Sequence, residues 1–443
     1  MVHGSIIYFL GAPMKRTTAC IVIALAAISL AGCVSSSANT RSEVKVPDQS
    51  ALGRGVNAVQ SGDYAAALAE LTPLAAHGNA IAQYNLGRMY YYGQGVPRDL
   101  DQATSLFRQS AAQGNPDGEN NLGAGYETGE GLPQDYSQAS ALFRNAAVQG
   151  NAKAEYNLGR SYEHGRGLPL DYAEAAAWYT KSAQQGYVLA QYNLALMYDQ
   201  GRGVSTDQAQ AVIWYSKAAN QGMSDAENEL GVRYEKGQNV PQNDALALEW
   251  YRRSAAEGDV DALNNLGRLY ENGHVVPRDY AKAIEMFRQA AEMGDVSAQA
   301  SLGLAYAVTT NYSQALRWYV AAAQQGDVDA KNGLGVMYAN GEGVAKDYKK
   351  AVALYREAVQ GGNADAVLNL GAMYFQGFGV SHDLVAAYAL ANVAASMEGG
   401  TPSNAINNRD ITTGLMSAVQ IKLGDALTSR MQKEGLLKAL DSR

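Results

Sequence analysis

Catalysis and metal binding need particular side chains at particular spacings, and this chain of 443 residues offers few of them. Its five histidines, His3, His77, His164, His274 and His382, are scattered, and none stands four residues from another as a helical metal pair would. The two cysteines, Cys20 and Cys33, make no C-x-x-C motif and no disulfide framework. A Ser-x-x-Lys pair, the spacing of one class of acyl-transfer nucleophile, occurs at Ser42 and Lys45, in a polar stretch with no wall to hold a substrate. Gly-x-Gly turns such as Gly93–Gly95 invite comparison with phosphate loops, yet neither G-x4-G-K-[ST] nor G-x-S-x-G is present. The sequence predicts no catalytic residue, no metal and no cofactor.

The glycines belong to something larger. The glycine of an Asn-Leu-Gly-like triplet recurs at Gly87, Gly123, Gly159, Gly231, Gly267 and Gly303, a 36-residue step in which Ala195 fills the one gap. The next step is 32 residues, to Gly335, and 36 more reach Gly371; a 32-residue step backwards reaches Gly55. Both short steps lack the Gly-x-Gly-Val-Pro insert. Ten units run from about Ala51 to Glu398, and a fixed period of this size marks stacked supersecondary units.

Each unit reads as a helix, a corner and a second helix. Ala82, Leu86 and Tyr90 lie four apart on one face of the first helix, and the glycine beside the leucine suits close approach of a neighbouring helix. Glycine pairs from Gly93/Gly95 to Gly377/Gly379 turn the corner through left-handed dihedrals. Asn239 is tolerable in that conformation and Val275 is not, so the corner at Val275 is expected to differ. Asp63, Asp99, Asp135, Asp171, Asp207, Asn243, Asp279, Asn311, Asp347 and Asp383 stand where each second helix needs its N-cap. Eight residues after the cap comes an aromatic column, Phe107, Phe143, Tyr179, Tyr215, Tyr251, Phe287, Tyr319 and Tyr355, read here as core. After the repeats, Ser417 with Gln420 forms a capping box, and Val419, Leu423 and Leu427 are expected to form the apolar face of a terminal helix.

The opening segment has a basic pair, Lys15 and Arg16, then an apolar run from Ala19 to Ala31 that is short for a membrane span. Met14 offers a second start point. Leu30 to Cys33, "LAGC", resembles the bacterial lipobox, which implies cleavage before Cys33 and lipidation of that cysteine. Residues 1–32 would be the leader, 33–50 a polar tether, 51–398 the solenoid and 399–443 a helical cap. Val34 in place of Asp suggests the outer membrane in the enteric sorting scheme. Loss of the leader takes the formal charge from −8 to −10, which argues against a nucleic-acid partner.

A-x3-L-G-x2-Y, then G-x-G-V-P, then D-Y-x2-A-x3-Y resembles the Sel-one-like repeat (SLR) family, a relative of the tetratricopeptide repeat, over about 350 residues. The resemblance implies an all-α, right-handed α-solenoid of helix pairs that binds proteins, with the first helices lining its inner groove. An SLR scaffold of exopolysaccharide export, like the alginate-export lipoprotein, is one sub-case. Another is weak action on β-lactams or peptidoglycan, known in cysteine-rich relatives whose per-repeat disulfides this chain lacks. The expected partners are envelope proteins or peptides, with the membrane reached through the lipid anchor.

The candidate groove follows from helix geometry. Counting from each repeat glycine, positions −3, +1 and +4 fall on one stripe of the first helix. The stripe holds Tyr84 and Arg88, Tyr156 and Arg160, Tyr192, Asn264 and Arg268, and at +4 the acids Glu127, Glu163, Asp199, Glu235 and Glu271. An acid in a helix's last turn opposes the macrodipole. Three explanations stand: pairing within a helix (Arg160–Glu163, Arg268–Glu271), pairing between repeats, or a partner.

Overall fold

In a computed structural model that describes residues 49–273, 275–397 and 404–442, all the regular structure is helical. In chain order the pairs are α1 (Gln49–Ser61) and α2 (Tyr64–Ala76), α3 (Ala80–Tyr92) and α4 (Leu100–Ala111), α5 (Pro116–Thr128) and α6 (Tyr136–Val148), α7 (Ala152–His164) and α8 (Tyr172–Gln184), α9 (Val188–Gln200) and α10 (Gln208–Ala219). They continue with α11 (Ser224–Lys236) and α12 (Asp244–Ala256), α13 (Val260–Asn272) and α14 (Tyr280–Glu292), α15 (Val296–Val308) and α16 (Tyr312–Gln324), α17 (Val328–Asn340) and α18 (Tyr348–Gln360), α19 (Ala364–Gln376) and α20 (Leu384–Met397). A cap of α21 (Asn404–Thr413), α22 (Ala418–Glu434) and α23 (Leu436–Asp441) follows. No described helix is long and apolar enough to cross a membrane. Cys33, the expected lipidation site, the expected leader and most of the expected tether lie outside the described residues.

Most helices begin at residues whose side chains cap them. All ten expected Asp and Asn caps of the second helices accept a hydrogen bond from the first-turn backbone, as Asp171 does from the amides of Ala173 and Glu174. The first helices carry caps too, at Asn79, Asn115, Asn151, Asp259, Asp295, Asp327 and Asn363. Asn239 sits at φ 59° in its corner; the corner at Val275 includes His274, which lies outside the described residues. In the short unit the turn places Thr310 at φ 63°, an uncommon posture for a β-branched residue.

The repeat glycine marks contact within a pair. A Cβ on Gly159 would lie 2.7 Å from the Tyr179 ring, and one on Gly231 would lie 2.6 Å from that of Tyr251. Rings of the second helix therefore rest on the bare backbone of the first, and the aromatic column is core: Phe143, Tyr179, Tyr215 and Tyr251 are fully buried. The second glycine of each corner has a further job. A Cβ on Gly203 would collide with the Tyr172 carbonyl oxygen and come within 2.8 Å of the Ala173 amide nitrogen, so this corner lies directly on the preceding repeat.

Successive first helices pack on one another (α1 with α3, α3 with α5, α5 with α7, α13 with α15, α15 with α17), and no pair of second helices does so to the same degree. The first helices thus occupy the tighter side of the stack.

The cap differs from expectation in one respect. Val419 and Leu423 are 67% and 55% exposed, and only Leu427 of the expected apolar face is buried. The face of α22 that packs on α20 is Gly424, Leu427 and Met431. Gly424 sets that register, because the Tyr388 ring occupies the space its Cβ would fill.

Candidate functional site: the inner stripe of the first helices

The stripe is built in layers. Tyr84, Tyr156 and Tyr192 lie half-buried on the aromatic column, with ring centroids 6.3 Å from Phe107, 5.6 Å from Tyr179 and 5.7 Å from Tyr215. Burial pushes all three phenols above their ordinary pKa. Over two of these rings lies the arginine one turn on: the Arg88 guanidinium is 5.8 Å from the Tyr84 centroid, and Arg160 is 5.9 Å from that of Tyr156. Asn264 is half-buried and Arg268 is exposed.

The acids at +4 reach between repeats. Glu127 meets Arg160 at 3.6 Å and Arg166 at 3.4 Å; Glu163 meets Arg202 at 3.5 Å; Asp199 meets Arg233 at 2.7 Å; Glu235 meets Arg268 at 3.0 Å. In each case the arginine belongs to the next repeat. Glu163 and Glu235 also accept from the buried hydroxyls of Tyr179 and Tyr251, both at 2.7 Å. Glu271 is half-buried, and burial raises its pKa. Of the three explanations, pairing between repeats accounts for four of the five acids. It also fixes Arg160 and Arg268 in the groove wall.

Three features were missed by the sequence reading. Arg166 and Arg202, the middle residues of Gly-x-Gly corners, bridge back to the preceding repeat, and Arg202 stacks 4.4 Å from the Tyr172 ring centroid. A second polar ladder joins the two helices of six pairs. Gln83, Glu119, Glu155, Gln191, Glu227 and Gln299, four residues before the repeat position, are buried and bonded to Gln113, Gln149, Gln185, Gln221, Arg253 and Gln325. A periodic Gln-Gly at the end of the second helices was the available signal. Third, asparagines link neighbouring first helices, Asn157 to Asn120, Asn265 to Asn228 and Asn369 to Asn332, at 2.8, 3.1 and 2.9 Å.

The unit with Ala195 is the exception. Its Tyr215 hydroxyl is buried without a hydrogen-bond partner. Asp199 is one methylene shorter than the glutamates elsewhere, and Arg233 already engages it. An unpaired buried hydroxyl is costly, whereas a bond to a carboxylate stabilises. Tyr215→Phe is therefore expected to leave the melting temperature unchanged or raise it, while Tyr251→Phe costs about 1–2 kcal/mol. Equal losses in the two variants would contradict this account.

Among the described residues no group of three His, Cys, Asp or Glu side chains is arranged to hold a metal ion. His77 and His382 hydrogen-bond to the backbone carbonyls of Pro73 and Phe375.

Stacked helix pairs with a side-chain-lined inner face define an α-solenoid of the repeat class. The Sel1 repeat matches nine successive segments, 80–115, 116–151, 152–187, 188–223, 224–259, 260–295, 296–327, 328–363 and 364–398, and the chain belongs to the Sel1 repeat family. The pair α1 and α2 precedes the match. Among solved structures, the chain is similar to c5321, a protective antigen present in uropathogenic Escherichia coli strains and displaying an SLR fold. Identity there is 33% over 88% of this chain and 85% of that one, with a TM-score of 0.72. It is also similar to a Sel1 repeat protein from Oxalobacter formigenes, at 31% identity over 55% of this chain and 99% of that one, TM-score 0.51. No curated protein sequence matches the chain. Solenoids of this family mediate protein–protein interaction.

Proposed function

We propose that the chain is a lipid-anchored scaffold of the bacterial cell envelope, tethered at Cys33 to the outer membrane, that holds envelope proteins or peptides along the inner stripe. One observation carries the binding site: tyrosines locked on the aromatic column and arginines laid over them form a preorganised surface on the tighter side of the stack. Tyrosine and arginine are the side chains enriched at binding hot spots, and surfaces already rigid lose little entropy on binding. The lipobox-like Leu30–Cys33 supports the anchor. The antigen status of the E. coli relative supports an envelope location.

Two measurements test the reading. Labelled palmitate is expected to enter the wild type and not Cys33→Ser; equal labelling refutes the anchor. For the groove, reversing Arg160 and Arg268 to glutamate would set carboxylates against Glu127 and Glu235 and disturb the fold. Neutral replacement separates binding from stability. The triple variant Arg88→Gln, Arg160→Gln, Arg268→Gln is expected to lose at least about tenfold in the yield of partners crosslinked in cells from the inner face, with helicity retained. Undiminished crosslinking places the site elsewhere.

A further inference from the structure

Towards the C-terminal end the stripe changes character. Position +1 becomes Leu304, then Val336, then Ala372, and on α19 all three stripe positions are apolar: Leu368, Ala372 and Phe375. There the stripe meets α21, which packs on α20 beyond the last repeat. Between them lies a cavity of about 260 Å³, its lining mostly apolar, from Leu368, Ala372 and Phe375 of α19, Ala391 of α20 and Ile411 of α21, with Gln376, Asn408 and Thr412 at polar points of the wall. Ala372 is exposed and Ile411 is 51% exposed, so the cavity opens to solvent. It is smaller than the roughly 300–1,000 Å³ of cofactor and small-molecule sites, and suits one large apolar side chain.

The border of this end is acidic. One turn before position −3, the last two first helices, α17 and α19, carry Asp329 and Asp365, neither of them in an ion pair among the described residues; Asp329 accepts a hydrogen bond from Asn363. Asp365 stands three residues before Leu368 on the same face of α19, within side-chain reach of the cavity rim. An apolar socket beside uncompensated carboxylates is complementary to an apolar side chain flanked by cations.

We propose that this pocket is a second anchor point of the groove and takes a large apolar side chain from a partner segment that carries lysine or arginine next to it. The proposal rests on the scaffold reading and adds the chemistry of the partner. It is tested on the full chain with a fluorescein-labelled nonapeptide: a central benzoyl-phenylalanine flanked on each side by two lysines, with glycine elsewhere. Irradiation is expected to place crosslinks within residues 368–376 or 404–413. Anisotropy is expected to weaken about tenfold when the central residue is alanine, and severalfold when the lysines are glutamates, the latter difference shrinking with added salt. Ala372→Trp fills the mouth of the cavity from an exposed position and is expected to abolish specific binding with an unchanged melt. Should that variant disturb the fold, crosslink positions on the wild type decide alone. Crosslinks spread along the solenoid, confined to the stripe between Tyr84 and Glu271, or absent would each overturn the pocket. Equal affinity for the alanine peptide would do the same. None of these results bears on loss of partners in the triple arginine variant, so the two readings fail separately.

Discussion

Replacing Arg233 by methionine is expected to destabilise the centre of the solenoid by about 2–3 kcal/mol. Arg233 is 4% exposed, and its guanidinium meets Asp199 of the preceding repeat at 2.7 Å and Glu229 at 2.5 Å. It also lies 4.5 Å from the Tyr215 ring centroid. Removing one partner from a buried ion pair costs about 3–5 kcal/mol, because the other charge is left unpaired. The two carboxylates here are 26% and 34% exposed, so water recovers part of that loss. Each repeat touches only its neighbours, so the damage should be local. Hydrogen exchange should accelerate in α9 to α12 while α3 to α6 and α17 to α20 keep their protection. Uniform loss along the chain would show a single cooperative unit instead.

The second large effect is expected at a corner. Gly203→Ala should cost about 2–4 kcal/mol, the sum of a left-handed dihedral at φ 72° and a forced separation from the Tyr172–Ala173 backbone of the preceding repeat. Gly222→Ala is the control. Its φ is 83°, but nothing lies within 4 Å of the added methyl, so only the dihedral cost of roughly 1–2 kcal/mol remains. Proteolysis at the α9–α10 corner should increase in the first variant and change little at the α10–α11 junction in the second. Similar losses in the two would mean that dihedral strain alone explains these glycines.

Both effects arise at junctions between repeats, and that is where sequence and structure part company. Everything confined to one brick could be read from the chain. The caps from Asp63 to Asp383, the corner glycines, the tolerance of Asn239 and the buried aromatic column follow from φ/ψ sterics, hydrogen-bond capping and helical periodicity. These act over a few residues and recur every 36, so each unit repeats the same instruction and errors do not accumulate. The stripe was also visible as a stripe, since three positions on a helix face need only the 3.6-residue period.

Tertiary structure decided what the stripe's charges do. Helix rules pair Arg160 with Glu163 and Arg268 with Glu271; in the folded chain Arg160 reaches Glu127 and Arg268 reaches Glu235. Those contacts depend on the offset between stacked repeats, which no local period encodes. The same offset sends Arg166, Arg202 and Arg233 backwards across the junction and leaves Tyr215 without a partner where Ala195 and Asp199 replace glycine and glutamate. In the cap, one close approach at Gly424 outweighed the apolar spacing of Val419 and Leu423 and rotated the buried face of α22. By itself the sequence determined the repeat, its corners and its core, because those are local. The packing of repeat on repeat, set by side chains tens of residues apart, decided which polar groups hold the solenoid together and which still face the groove.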